Sequence, residues 1–288
     1  MPKSVASNGK FPPNTLPGTG ANDYLSLNSK ALRERFLIEH LFVPGELTLH
    51  AAEPDRVIVG SVVPTVNAIS LDCPAELGAD GFCARRELGV FNLGGVGMVT
   101  IDGKTFTMPR FACLYVGRGA RSVLFSSAAA QEPAQFYLAS YPAQHAYPTR
   151  LIGPDQGSVA DLGTVEASNR RQLRKMIHPG EVESCQLVMG WTRLQSGSVW
   201  NTMPPHRHAR RSEVYCYFDM AADTRVIHLL GCPQETRHIV VADRQVVISP
   251  SWSIHGGAGT GPYSFCWAMG GENQDFADMD HVTMQELR

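Results

Sequence analysis

The chain lacks any run of about 18 consecutive apolar residues, so no membrane-spanning helix is expected. Residues 1–20 are rich in Pro, Gly, Asn and Ser and carry no apolar segment of the kind a secretory signal needs. A loose leader over 1–22 and a cytoplasmic protein are expected. There is no CxxC pair, and the seven cysteines (Cys73, Cys83, Cys113, Cys185, Cys216, Cys232 and Cys266) are odd in number and scattered. That argues against a disulfide framework and for reduced, mostly buried thiols. Charge is also scarce: 18% of residues are ionised and the formal net charge is -2, which gives no electrostatic basis for binding nucleic acid or an anionic membrane. A small-molecule partner is expected instead.

What is present is a succession of short β-type runs punctuated by Gly, Pro and Asp. RVIVGSVV, ELGVFNL, ACLYVG, SVLFSS and AQFYLASY occur in the first half, and CQLVMGWTRL, EVYCYFDM, RVIHLLG, RHIVVADRQVVISP and YSFCWAMG in the second. Asp102-Gly103 between GMVTI and KTFTM is a hairpin signal. The pattern is all-β and predicts a sandwich or barrel. Helical spacing is seen over residues 29–42 (Leu32, Phe36, Leu37, Leu41) and 168–178 (Leu173, Met176, Ile177), and two short helices are expected there. Gly94, Gly95 and Gly97 follow a β-run without a helix after them, so they read as a bulged turn rather than a nucleotide loop.

A weak internal echo suggests two related halves. Arg85, Arg86 and Glu87 precede one β-run as Arg210, Arg211 and Glu213 precede another, and Arg121 falls where His255 stands later. The expected organisation is a leader (1–22), a metal-free N-terminal half (23–150), a linker (151–167) and a metal-binding C-terminal half (168–288).

The chemistry concentrates in the second half. In Pro204-Pro205-His206-Arg207-His208 one residue separates the imidazoles, so on an extended strand both face the same side. Glu213 follows after a polar segment that a turn could reverse, and His255 comes at a strand end before Gly256-Gly257. Three imidazoles and a carboxylate suit Zn, Fe, Ni, Mn or Co and leave positions open for water or substrate.

This arrangement resembles the cupin superfamily, whose motifs are HxH followed by Glu, then PxG and a later His. The second motif departs here, with Trp252 in place of Gly and Gly259 in place of Asn. The strings RRELGVFNLGG, LYVGRGA, SNRR, NTMPPHRHARRSEVYCYF, PQETRHIV, ISPSWSIHGGAGT and GENQDFADMDHV resemble, in order, the 5-dehydro-4-deoxyglucuronate isomerase (4-deoxy-L-threo-5-hexosulose-uronate ketol-isomerase) family. The resemblance implies a bicupin fold of two jelly-roll barrels, a hexamer, and one Zn2+ per chain on His206, His208, Glu213 and His255. It also implies an aldose–ketose isomerisation of a keto-uronate through an enediol, which requires a base and a group to bind the substrate carboxylate.

Glu213 is occupied as a ligand, so Glu235 is the candidate base. Arg170, Arg171, Lys175 and Arg211, with Arg210 beside it, are candidates for the carboxylate fork. Tyr215, Tyr217, Trp252, Trp267 and Met269 are expected to fill the core. Of His40, His50, His145, His178, His228, His238 and His281, most are expected to be structural or exposed; only His238 lies in a run close to the metal motifs, and it is not expected to be a ligand. Three other readings stay open: a cupin dioxygenase with the same ligands and a redox metal, an isomerase acting on 5-deoxyglucuronate, and a sugar-binding bicupin whose metal only stabilises it.

Overall fold

The computed structural model describes residues 15–288. Residues 1–14 of the expected leader lie outside the described residues. The part of it that is described is packed: Leu16 is buried, its N–H donates to the Ala51 carbonyl, and it bridges to Ala52.

Among the described residues short strands form four sheets. In the N-terminal half a six-stranded sheet runs, in spatial order, Arg150–Ile152, Cys113–Val116, Arg86–Asn92, Phe136–Pro142, Ile58–Val62 and Leu47–Ala51. It is covered by a four-stranded sheet of Ile69–Ser70, Val123–Ser127, Gly97–Ile101 and Lys104–Met108. The C-terminal half repeats this order. Its seven-stranded sheet is Leu37–Ile38, Val246–Ser249, Arg211–Phe218, Ser264–Gly271, Val188–Leu194, Arg171–Ile177 and Ser158–Leu162. Its five-stranded partner is Glu235–Val241, Val226–Cys232, His255–Gly259, Trp200–Arg207 and Asp280–His281. This is the expected all-β bicupin. The Asp102-Gly103 hairpin forms as its sequence demands, with both residues at positive φ. At the glycine cluster, a Cβ on Gly95 would lie 2.1 Å from the Glu132 carbonyl oxygen, so a close backbone approach explains that residue.

The central strands are buried on both faces, and their alternation sorts side chains into layers. Along Arg211–Phe218, Tyr215 and Tyr217 point into the C-terminal barrel with Val188, Trp267 and Met269. Val214, Cys216 and Phe218 point the other way, into a core shared with Phe91, Tyr137 and Met189. Along Arg86–Asn92, Leu88 and Val90 fill the N-terminal barrel while Phe91 joins the shared layer. The two large sheets therefore stack back to back. Glu87 lies in that junction, wholly buried, and its carboxylate accepts from the N–H groups of Cys185, Gln186 and Leu187 at 2.7, 2.7 and 2.8 Å and from the Tyr115 hydroxyl at 2.8 Å.

Four expectations need correction. The helix is Ser29–Phe36 only, capped by Asn28; the chain then extends because Leu37 pairs with Val247 at an open sheet edge. Residues 168–178 are not helical: Arg171–Ile177 is a strand, and a bulge between Lys175 and Ile177 produces the apolar spacing that imitates a helix. The segment 151–167 is not a bare linker, since it finishes the strand Arg150–Ile152 and holds Ser158–Leu162. Finally, residues near the N-terminus serve the C-terminal barrel: Tyr24, Leu32, Phe36 and Leu37 share its core. The first strand of each repeat is thus exchanged, Leu37–Ile38 closing the edge of the C-terminal sheet and Arg150–Ile152 that of the N-terminal one.

Among the described residues no helix is long and apolar enough to cross a membrane. All seven cysteines are free, four of them buried.

Candidate metal centre

His206 is the penultimate residue of a strand whose register sets it directly opposite His255, the first residue of its own strand. His208 follows after Arg207, which points outward to Asp280. The chain then turns at Ala209-Arg210, closed by the Arg211 N–H donating to the His208 carbonyl at 3.2 Å, and Glu213 re-enters on the next strand facing inward. The two HxH rings lie 4.8 Å apart by centroid, and those of His206 and His255 4.5 Å. One ligand atom from each of the four side chains falls within 4.8 Å of every other, and all four residues are buried.

The donor set fits a cation. His208 Nδ1 lies 2.8 Å from the Asp278 carbonyl oxygen, which can only accept, so its proton is on Nδ1 and Nε2 presents a lone pair. That lone pair faces Glu213 Oε2 at 3.0 Å and His206 Nε2 at 3.2 Å. His255 Nδ1 is held by the Ser249 hydroxyl at 3.0 Å, while its Nε2 is buried 3.2 Å from Glu213 Oε2 with no hydrogen-bond partner. Acceptors converging at such distances repel unless a positive ion sits among them. Burial also keeps the His206 and His255 imidazoles neutral, as ligation requires: the His206 pKa is pushed down to about 3 and that of His255 well below the usual histidine value, first by desolvation and then by the neighbouring histidines.

The cluster opens on a cavity of about 260 Å³. Tyr215, Trp267 and Met269 belong to the barrel core, as expected, and also line this cavity. Tyr217 is a core residue, and Trp252, partly buried, packs against the same core. Trp252, the departure from the usual motif, donates from Nε1 to the Thr19 carbonyl at 2.9 Å and packs on Tyr24 and Phe36, fastening the N-terminal segment.

The predicted binding residues separate. Arg171 and Leu173 alternate onto the cavity wall, whereas Arg170 is exposed on the opposite side. Burial lowers the pKa of Arg171, whose Nη1 donates to the Asn169 carbonyl. Lys175 is not among the residues that line the cavity; its ammonium lies 4.1 Å from the centre of the Phe276 ring. Arg211 is buried beside the ligands and donates to the Asp278 carbonyl at 3.0 Å. Arg210 is exposed and pairs with the Asp278 carboxylate.

Glu235, the candidate base, does not reach the site. It opens the outer strand Glu235–Val241, is exposed, and pairs with Arg237, because the tight turn after Cys232 carries it to the surface. His281 was missed: it lines the cavity opposite His206, with ring centroids 6.1 Å apart. It sits on a two-residue strand far along the chain from the HxH pair, so no spacing motif marks it.

The KduI/IolB family model matches residues 49–284. The 4-deoxy-L-threo-5-hexosulose-uronate ketol-isomerase of Shouchella clausii (strain KSM-K16) is 49% identical over 269 residues, covering 93% of this chain and 98% of that protein. The protein of the same name from Escherichia coli (strain SMS-3-5 / SECEC) is 48% identical over 265 residues, covering 91% and 95%. Among solved structures, an IolB-like protein from Salmonella typhimurium LT2 superposes with a TM-score of 0.71 at 14% identity, covering 86% of this chain and 96% of that one. The oxalate decarboxylase of Lactobacillus farciminis superposes at 0.55 with 10% identity, covering 87% and 89%. These two share the fold. The match to the family model and the near full-length identity to the two ketol-isomerases establish that the chain belongs to the KduI/IolB family.

Proposed function

We propose that this chain is a metal-dependent ketol-isomerase that converts 4-deoxy-L-threo-5-hexosulose uronate (5-dehydro-4-deoxy-D-glucuronate) to 3-deoxy-D-glycero-2,5-hexodiulosonate in pectin breakdown. The observation that carries the reading is the junction of the His206, His208, Glu213 and His255 cluster with a cavity that also holds a guanidinium, in a chain about half identical to ketol-isomerases over nearly its whole length. Zinc is the proposed metal, one ion per chain, and the protein is proposed to work as a cytoplasmic homohexamer.

The residues divide the work. Arg171 offers paired N–H donors for the carboxylate of the substrate, which fixes its orientation in the cavity. Trp267, Met269 and Phe276 exclude water from the rest of the chain of carbons. A divalent ion on the four ligands supplies Lewis-acid stabilisation of negative charge developing on oxygen. Asp278 and Ser249 orient His208 and His255 so that their Nε2 atoms turn toward the Glu213 carboxylate, where an ion would be held.

The test supplies purified holoprotein with the unsaturated uronate released by pectin lyases and glycosidases, alongside elemental analysis. A new ketose with no oxygen uptake and zinc near one per chain is expected. His206→Ala and His255→Ala should lose both metal and activity while keeping their β-sheet signal. Bound iron with oxygen consumption would instead indicate a cupin dioxygenase, and absence of turnover a binding protein.

A further inference from the structure

A ketol-isomerisation through an enediol needs a group that takes a proton from one carbon and gives it to the next, and a side chain whose lone pair is held by a metal is not free to do so. Among the described residues the cavity wall carries six ionisable side chains: Arg171, His206, His208, Glu213, Tyr215 and His281. Three belong to the ligand cluster, Tyr215 is engaged with Glu213, and Arg171 stays protonated and has no lone pair to accept with. One remains.

We propose that His281 is the proton-transfer residue of the isomerisation, an inference that rests on the ketol-isomerase reading above. Its placement follows from the ladder. Asp280–His281 pairs with the strand Trp200–Arg207 so that His281 is the register partner of His206, and residues directly opposite in an antiparallel pair project from the same face. The His281 ring therefore stands beside the His206 ring at 6.1 Å, in an edge arrangement, over the same cavity. No hydrogen bond joins that ring to another described residue, and it is exposed on the cavity side, so a nitrogen is free to meet substrate. Its neighbours hold it in place: the Val282 N–H donates to the Pro205 carbonyl at 3.2 Å, and Val282 is buried.

The step balances with one imidazole. The neutral ring nitrogen takes the hydrogen of C2 as a proton; the C2–H electron pair becomes the C1=C2 bond, and the C1 carbonyl pair moves onto its oxygen. The proton of the C2 hydroxyl passes to the C1 oxygen. The imidazolium then returns its proton to C1 as the C2 carbonyl forms. Nothing is oxidised or reduced overall, and the imidazole ends as it began.

The test follows the reaction in D2O, where an imidazolium exchanges its proton with solvent. Wild-type holoprotein should form ketose carrying deuterium at C1. His281→Gln should lose kcat by about 10²- to 10⁴-fold, with C1 labelling lost in step. Its metal content and unfolding midpoint should match those of the wild type, and added imidazole should restore turnover to His281→Ala. If His281→Gln turns over and labels as the wild type does, the assignment is wrong. Ketose formed without deuterium by the wild type and at the same rate by His281→Gln means hydrogen movement without an imidazole, which overturns the role of His281 and leaves the isomerase reading standing. No ketose from the wild type overturns both.

Discussion

His208 donates its Nδ1 proton to the main-chain carbonyl of Asp278 at 2.8 Å, tying a candidate metal ligand to the loop that closes the cavity. The same carbonyl accepts from Arg211, and the Asp278 carboxylate is held by Arg210 and by Asn273. Those partners keep the Asp278 carboxyl well below the usual carboxylate range, Arg210 contributing most. Phe276 and Met279 of this loop line the cavity, so ligand orientation and cavity shape depend on one anchor.

Asp278→Ala should therefore weaken metal binding about 10- to 100-fold, as loss of an orienting partner does, with the four ligands untouched. Competition with a chelator measures it. An unchanged affinity would show that the carbonyl stays in place without the carboxylate.

Arg171→Met should keep the metal and lower kcat/KM about 10- to 100-fold, corresponding to the roughly 1.5–3 kcal/mol of a charge-assisted hydrogen bond. Steady-state kinetics beside metal analysis tests this. Equal kinetics for both proteins would place the substrate carboxylate elsewhere.

Glu235→Gln should leave kcat/KM unchanged, since the carboxylate faces solvent and Arg237 rather than the cavity. A large loss of kcat would restore it as a base.

Glu87→Ala should destabilise the protein by at least about 3 kcal/mol, because three buried N–H groups and the Tyr115 hydroxyl lose their acceptor at once. Urea unfolding reads the difference, and a loss below about 1 kcal/mol would contradict the account.

Acid should weaken the metal-free fold through His228. This residue is wholly buried, with Nδ1 2.7 Å from the Tyr217 hydroxyl, and burial pushes its pKa down to about 3. The unfolded chain takes up a proton near the ordinary value of about 6.5, so between these limits it binds more protons than the folded one. The stability is fully present above about 6.5 and is lost as pH falls, by about 1.4 kcal/mol per pH unit for this group. In chelator, the stability gap between the wild type and His228→Gln should shrink from pH 7.5 to pH 5. A gap independent of pH would refute this.

Part of the site was legible because its spacing is local. His206 and His208 alternate on one strand, and Glu213 lies one turn away, so a reader of residues can place three of the four donors together. His255 was legible from its motif, although the ladder that sets it opposite His206 was not. His281 and Asp278 left no such trace: each acts through a pairing or a carbonyl contact with a segment some 70 residues earlier. The echo of Arg86-Glu87 in Arg211-Glu213 was real in strand position but misleading in chemistry. Glu87 has the parity of Phe91 and faces the other half, whereas Glu213 has the parity of Tyr215 and faces its own barrel.

The false helix at 168–178 has a related cause. Leu173, Met176 and Ile177 are spaced as on a helix only because a bulge adds a residue to the strand, and a bulge is chosen by the partner strand rather than by the residues within it.

By itself the sequence determined the β character, the hairpin at Asp102-Gly103 and the kinds of atom offered to a metal, because these depend on alternation, turn chemistry and side-chain type within a few residues. Only the tertiary structure decided which edge each first strand closes, which arginine looks into the cavity and which histidine stands over it. Those outcomes depend on hydrogen-bond registers between distant strands, and a shift of one residue in a register turns every side chain to the opposite face.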